Sequence, residues 1–326
     1  MSDIELSWST EQRNPDTLDL DTLATPDLVG AIVAADDVVV PAVRAVADRI
    51  AAAVELAVTA IANGGRVHYV GAGTSGRLGV LDAVELFPTY HVGDDVVAAH
   101  LAGGEAAMTR AVEGAEDDPA AGAAIVASAG EHDLVVGIAA SGRTPFVRGA
   151  LAAARERGLA TVLVSSNVAA PLADLADVAI LPDTGPEVVT GSTRMKAATA
   201  QKLVLNTFST ATMVRLGKTW SNLMINVQAT NLKLERRLVH IVEQATGLDA
   251  ETSADLLSRS GGDLRVALVC GLSGAPVDDA RRAADEFPPD PRRAHDPAGI
   301  RSAVAQLSGR AATASATPRR GRATSA

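Results

Sequence analysis

The sequence predicts an α/β protein: a parallel sheet of five strands layered between helices, followed by a smaller helical region. Three observations carry this. Five short β-rich runs, Arg66–Val70, Asp95–Leu101, Asp133–Ala139, Ala160–Ser165 and Asp177–Leu181, alternate with helical stretches, which is the pattern of βαβ units. The 326 residues are 47% hydrophobic but only 2% aromatic, and small aliphatic side chains suit strands buried on both faces beneath closely packed helices. After Trp220 the strand rhythm stops and helical periodicity takes over.

Residues 1–63 read as a polar arm, to about residue 25, followed by helices. Pro26 suits a first helical turn after a Thr25 cap, and Gly64-Gly65 stop the last of these helices. Residues 64–234 hold the five strands. Their helical covers include "GEAAMTRAVEGAEDDPAAGAAIVASAG" and "PFVRGALAAARERG", and an apolar helix runs from about Thr193 to Leu216. Residues 235–308 are helical, with two loosely similar segments at 246–269 and 273–307. Residues 309–326 lack large apolar side chains and read as a disordered tail.

Composition narrows the function. The net charge of −10 argues against a nucleic-acid binder, since phosphate contacts need clustered Lys and Arg. The single cysteine, Cys270, rules out an internal disulfide framework or a cysteine metal cluster, and in "RVALVCGL" it reads as a small core residue. The N-terminus lacks a signal-peptide pattern, and no apolar run approaches the ~20 residues of a membrane span. The expectation is a cytoplasmic protein with no membrane partner.

"VGAGTSGRLG", Val70–Gly79, satisfies G-x-G-x-x-G. A dinucleotide fold also wants an acidic residue at the end of the second strand. Here Asp94 and Asp95 precede that strand, so the dinucleotide reading loses its support. Hydroxyls offer another chemistry. Thr74 and Ser75 follow Gly73 in the first loop, Ser141, Gly142 and Thr144 form the loop "ASGRTP", and Ser192, Thr193 and Lys196 lie in "GSTRMK". Loops after parallel strands gather at one sheet edge. Helix N-termini there direct their N–H groups at an anion. The three loops together are expected to surround one phosphate monoester.

No metal and no redox cofactor are expected. The six histidines show no ligand spacing. His68 reads as packed core, while His100, near the end of the second strand, could face the pocket; it and His240 are the secondary acid–base candidates.

"GAGTSGRLGVLDAVELFPTY", "AVEGAED", "ASGRTPFV" and "GSTRMKAATAQKLVLNTFST" resemble the N-acetylmuramic acid 6-phosphate etherases, a family of the sugar isomerase (SIS) superfamily. The resemblance runs from "TEQRNP" to about Leu234 and more weakly beyond. It implies a three-layer αβα SIS fold with a C-terminal helical appendage. It also implies a cofactor-independent lyase of cell-wall sugar recycling, acting on a small-molecule sugar phosphate. In that reaction the sugar ring opens, the C2 proton is removed, D-lactate leaves C3 and water adds. By resemblance Glu85 is the acid that protonates the lactyl oxygen, and Glu116 is the base that takes the C2 proton. A homodimer with sites near the subunit interface is implied as well.

From spacing alone, Glu85 is an ordinary helix carboxylate. Glu116, beside Glu113, Asp117 and Asp118, lies on a solvated acidic face. Glu85 is expected about two turns, or ~10 Å, beyond the first loop, in a helix ended by Pro88. Asp82, one turn earlier, is either a structural partner or a group that raises a neighbour's pKa. Asn222, Asn226, Gln228 and Asn231 could hydrogen-bond the sugar, although caps and backbone contacts are commoner roles. Val84, Ala198, Asn226 and Leu232 depart from the family pattern, and Val84 and Ala198 could narrow the pocket. Two other readings stand beside the lyase. One is a non-catalytic sugar-phosphate sensor similar to glucokinase regulatory protein, and the other is an aldose–ketose isomerase.

Overall fold

The computed structural model describes residues 9–227 and 232–315. Five strands, β1 (Val67–Gly71), β2 (Val97–Leu101), β3 (Leu134–Ile138), β4 (Ala160–Val164) and β5 (Val178–Ile180), fall within the five predicted runs or one residue beyond. All pair in parallel, in the order β2-β1-β3-β4-β5. Strand order therefore reverses between β1 and β3. The loops after these two strands flank a topological switch point, the usual crevice for a ligand in such sheets.

Alternation along the strands builds the two covering layers. Val70, Val135 and Leu163 point into one apolar cluster, closed by α5 (Pro119–Val126) and α6 (Pro145–Glu156). Tyr69 points the other way. Its hydroxyl bonds Asp82 of α4 (Gly73–Tyr90), and its ring lies 6.2 Å from that of Phe208 in α7 (Lys196–Arg215). The N-terminal helices are α1 (Thr25–Ala35), α2 (Val39–Ala45) and α3 (Ala47–Ala62).

Residues 9–87 and 92–212 form one compact unit; residues 88–91 and the described residues from 213 onward form another. The sequence places the start of the helical region near 235. In the structure a short hairpin, β6 (Thr219–Trp220) and β7 (Leu223–Met224), precedes α8 (Leu232–Thr246). Four further helices follow: α9 (Ala250–Arg259), α10 (Leu264–Ser273), α11 (Val277–Glu286) and α12 (Ile300–Ser315). They share a core around Val242, Leu268 and Ile300. Cys270 is buried in that core, donates to the Ala275 carbonyl, and has its thiol pKa pushed up by burial, as suits a packing residue.

Two sequence expectations need correction. Pro88 does not end its helix: α4 continues to Tyr90. Proline loses its own N–H bond and crowds the carbonyl one turn back, yet the helix runs two residues beyond it. Helix α12 reaches Ser315, so residues 309–315 are helical rather than part of a disordered tail. Gln228, Asn231 and residues 316–326 lie outside the described residues. No helix among the described residues is long and apolar enough to cross a membrane.

Candidate active site

The first loop leaves β1 at Gly71 and enters α4 at Gly73. Gly71 and Gly76 lie against each other so closely that a Cβ on either would stand 2.8 Å or less from the other's backbone. That contact folds the chain sharply and leaves the backbone N–H groups of Gly73, Thr74 and Ser75 without a bond to any described residue. Three unsatisfied donors at a helix N-terminus form a ready anion cradle. The second loop turns at Gly142 (φ +65°), which brings Ser141 and Thr144 to the start of α6. Asn167 fixes this loop by donating to the Ser141 carbonyl at 2.9 Å. Thr144 sits at the N-cap position of α6 without using its hydroxyl as a cap. Nor does the hydroxyl of Thr74 or Ser141 bond another described residue.

The third loop differs. Three of its backbone donors are already satisfied: Ser192 donates to Val189, Thr193 to Gly191 and Met195 to Ser192. The Lys196 and Ala197 N–H groups donate to the carboxylate of Glu187, each at 3.0 Å. Glu187 is 0% exposed; burial pushes its pKa up against the lowering effect of these two bonds. The N-terminus of α7 therefore already holds an anion, a side chain of the protein itself. Lys196 is buried and lines a cleft of about 510 Å³ with the arm residues Asn14–Thr17, a cleft that neither of the first two loops lines. Of the three loops, the third leads into a helix whose N-terminus is already capped from within the chain.

Glu116 lies where those two loops meet. It sits in a single 3-10 turn, Ala115–Asp117, after Gly114 (φ +71°). It lines a cleft of about 280 Å³ with Ala72, Gly73 and Arg77. It also lines a wider one, about 850 Å³, with Ser141, Arg143 and Thr144. Two residues fix its segment, and neither stands out in the sequence. Arg77 Nε donates to the carbonyls of Ala107 and Met108 at 2.9 and 3.2 Å, and its Nη2 donates to that of Arg110 at 3.2 Å. Asp118 caps α5 by accepting from the Ala121 N–H at 2.9 Å.

Glu85 is exposed and lines neither cleft. Because α4 starts at Gly73, Glu85 lies twelve residues on, about 18 Å along the axis. That exceeds the ~10 Å the sequence suggested, and it is farther than a hexose phosphate extends. Glu85 shares its stretch of helix with exposed apolar side chains, Leu81 at 50% and Val84 at 61%. Ala198, by contrast, is buried within α7.

Asp82 is a structural partner. It accepts from Tyr69 at 2.9 Å, Asn206 at 2.6 Å and Ser209 at 3.1 Å, joining β1, α4 and α7. Burial raises its pKa despite those three bonds. Asn222 is exposed and Asn226 half-buried, both in the second compact unit. His240 is exposed there and pairs with Glu243 at 3.1 Å.

His68 is core, as its strand context implies, but it is also the centre of a chain. Its Nε2 bonds Asp133 at 2.8 Å and its Nδ1 bonds His100 Nε2 at 3.0 Å. Burial opposes ionisation of Asp133, yet bonds from His68 and the Arg66 and Gly130 N–H groups outweigh it and hold its pKa low. Burial, then the neighbouring His68 and Arg66, lowers the pKa of His100 to about 4. From pH 6.5 down to about 4 the unfolded chain therefore holds a proton here that the folded chain does not. Stability is lost across that window as pH falls. In His100→Gln, denaturant melts at successive pH values are expected to show a shallower acid limb; an unchanged limb removes His100 from the linkage.

Comparison with known proteins identifies the domain and the family. A model of the glucokinase regulatory protein N-terminal SIS domain matches residues 49–155, and the SIS domain model matches residues 106–211. Fold and site thus define a SIS-domain protein. A phosphoheptose isomerase structure from Francisella tularensis is similar at 17% identity and TM-score 0.46, covering 58% of this chain and 98% of its own. The N-acetylmuramic acid 6-phosphate etherase of Thermobifida fusca (strain YX) is 53% identical over 264 residues, 81% of this chain and 87% of its own. That of Salmonella typhi is 48% identical over 274 residues, 83% and 92% of the two chains. The chain belongs to the N-acetylmuramic acid 6-phosphate etherase family.

Proposed function

We propose that the chain is a carbon–oxygen lyase that converts N-acetylmuramic acid 6-phosphate into N-acetylglucosamine 6-phosphate and D-lactate, with Glu116 as base and Glu85 as acid. The relatives' shared name supports the reaction. The observation that carries the site is the position of Glu116 on both clefts, beside one loop with three unbonded N–H groups and another with the unbonded Ser141 hydroxyl. A phosphate held by those donors places the sugar across Glu116. Once the ring is open, the C1 aldehyde acidifies the C2 proton. Glu116 removes it, the C3–O bond breaks, and the lactyl oxygen takes a proton from Glu85. Water then adds at C3. Such paired carboxylates work as one base and one acid. D-lactate release tests the reading; saturable phosphosugar binding without lactate would place the chain with the sensors.

Ser141 contributes one hydrogen bond to the phosphate. Ser141→Ala is expected to weaken substrate and product binding alike by roughly 1–2 kcal/mol, the worth of a bond to a charged group. Equal affinities in calorimetry would remove the second loop from phosphate binding.

A homodimer supplies the acid. Glu85 lies too far along α4 to serve the first loop of its own chain, and the exposed Leu81 and Val84 beside it suit burial against a partner. Each site then combines Glu116 of one chain with Glu85 of the other. Mixing Glu85→Gln with Glu116→Gln chains, each inactive alone, rebuilds one intact site per mixed dimer. Random exchange should restore about a quarter of wild-type activity in a two-fold symmetric dimer. No recovery despite proven chain exchange would put both carboxylates in one chain. The setting is a cytoplasmic step of cell-wall sugar recycling.

A further inference from the structure

One hydroxyl of the first loop is spoken for. Ser75 Oγ donates to Gln201 Oε1 at 2.9 Å, joining the first turn of α4 to α7. Both residues are buried, Gln201 at 1% exposure. The other end of the same carboxamide, Nε2, is buried without any partner. Gln201 therefore spends its oxygen on a group that could have used either end, and leaves two buried N–H bonds unsatisfied, the costlier arrangement for an amide.

A hydroxyl carries one proton. While that proton points at Gln201, Ser75 can show a phosphate oxygen only its lone pairs, which repel it. Thr74, Ser141 and Thr144 are under no such constraint. Half a turn about the terminal torsion of Gln201 exchanges its oxygen and nitrogen within nearly the same volume. Nε2 then donates to Ser75 Oγ, and the serine proton is released toward the ligand.

We propose that Gln201 is a positioning residue for phosphate binding: reversal of its carboxamide converts Ser75 from a hydroxyl spent on the protein into a donor to the ligand phosphate. This rests on the reading that the first loop holds the phosphate. Gln201 touches no reacting atom. Its effect falls on affinity and KM, and kcat stays within about twofold.

Three full-length variants test this, with N-acetylglucosamine 6-phosphate and inorganic phosphate as calorimetric probes. Gln201→Glu keeps the shape but, once ionised, can only accept, so it holds the Ser75 proton; binding is expected to weaken about tenfold, as for one bond to a charged group. Gln201→Met neither accepts nor donates, frees the proton, and should cost no more than about threefold. In a Ser75→Ala background, Gln201→Glu should add nothing further. Three results overturn the proposal: wild-type affinity in Gln201→Glu, an equal loss in Gln201→Met, or a Glu effect that persists without the Ser75 hydroxyl. The last would mean simple charge repulsion. Wild-type binding in Ser75→Ala with a loss in Ser141→Ala overturns the Gln201 role alone, whereas wild-type binding in both overturns the phosphate-loop reading itself.

Discussion

Glu116→Gln is expected to abolish D-lactate release from N-acetylmuramic acid 6-phosphate, with a loss of about 10²–10⁴-fold, the contribution of a positioned general base. The amide keeps the shape of the carboxylate and cannot accept the C2 proton. The segment should stay in place, because Arg77 and the Asp118 cap hold it and neither is touched. Product affinity should therefore change little if, as proposed, the phosphate contacts come from the first two loops. Exchange of the C2 proton with deuterated solvent separates the roles of the two carboxylates. It should vanish in Glu116→Gln, whereas in Glu85→Gln it should survive while lactate release is lost. Undiminished exchange in Glu116→Gln would strip Glu116 of the base role, and collapse of product binding would make it a binding residue instead.

Asp82→Ala is expected to destabilise the protein by about 3 kcal/mol without altering the chemistry of the molecules that remain folded. One carboxylate serves three buried donors, on Tyr69, Asn206 and Ser209. Removing it strands all three, and each unsatisfied buried group costs about 1–3 kcal/mol before relaxation. Asp82→Asn should cost roughly half as much, because the amide keeps an acceptor but sets its own N–H₂ against another donor. The measurement is a shift in denaturant midpoint at constant m. A variant of wild-type stability with lost activity would contradict the structural role and return Asp82 to the neighbourhood of Glu85 as a tuning group.

The sheet was legible because its signal is local. Val67–Gly71, Leu134–Ile138 and Ala160–Val164 are buried almost throughout, and burial on both faces writes itself into the sequence as an unbroken apolar run. The first two loops were legible for a related reason. Each follows a strand directly, and strand parallelism puts their hydroxyls on one edge. Glu116 could be placed through its motif, although the acidic residues around it give no chemical hint of a cleft. Helix α4 was less readable. Its start at Gly73 depends on the close approach of Gly71 to Gly76, and the two-residue difference at Pro88 lies in a terminal turn that tertiary context decides.

That the N-terminus of α7 is already capped was not legible, for a physical reason that recurs across the molecule. Whether a helix N-terminus is open to a ligand depends on what else reaches it. Glu187 sits in "TGPEVVTG", which reads as an ordinary polar turn, yet its carboxylate caps α7. Ser75 and Gln201 are 126 residues apart, Asp82 and Ser209 are 127 apart, and His68 and Asp133 are 65 apart. The sequence by itself determined the α/β architecture, the strands, the family and the residue types available for chemistry, because those follow from local periodicity and contiguous motifs. Tertiary structure decided which hydroxyls and N–H groups are already spent, which carboxylate is a scaffold, and that Glu116 faces both loops while Glu85 faces outward. A hydrogen-bond donor can be used only once at full strength, and its partner is set by the packing of distant segments, for which no local pattern exists.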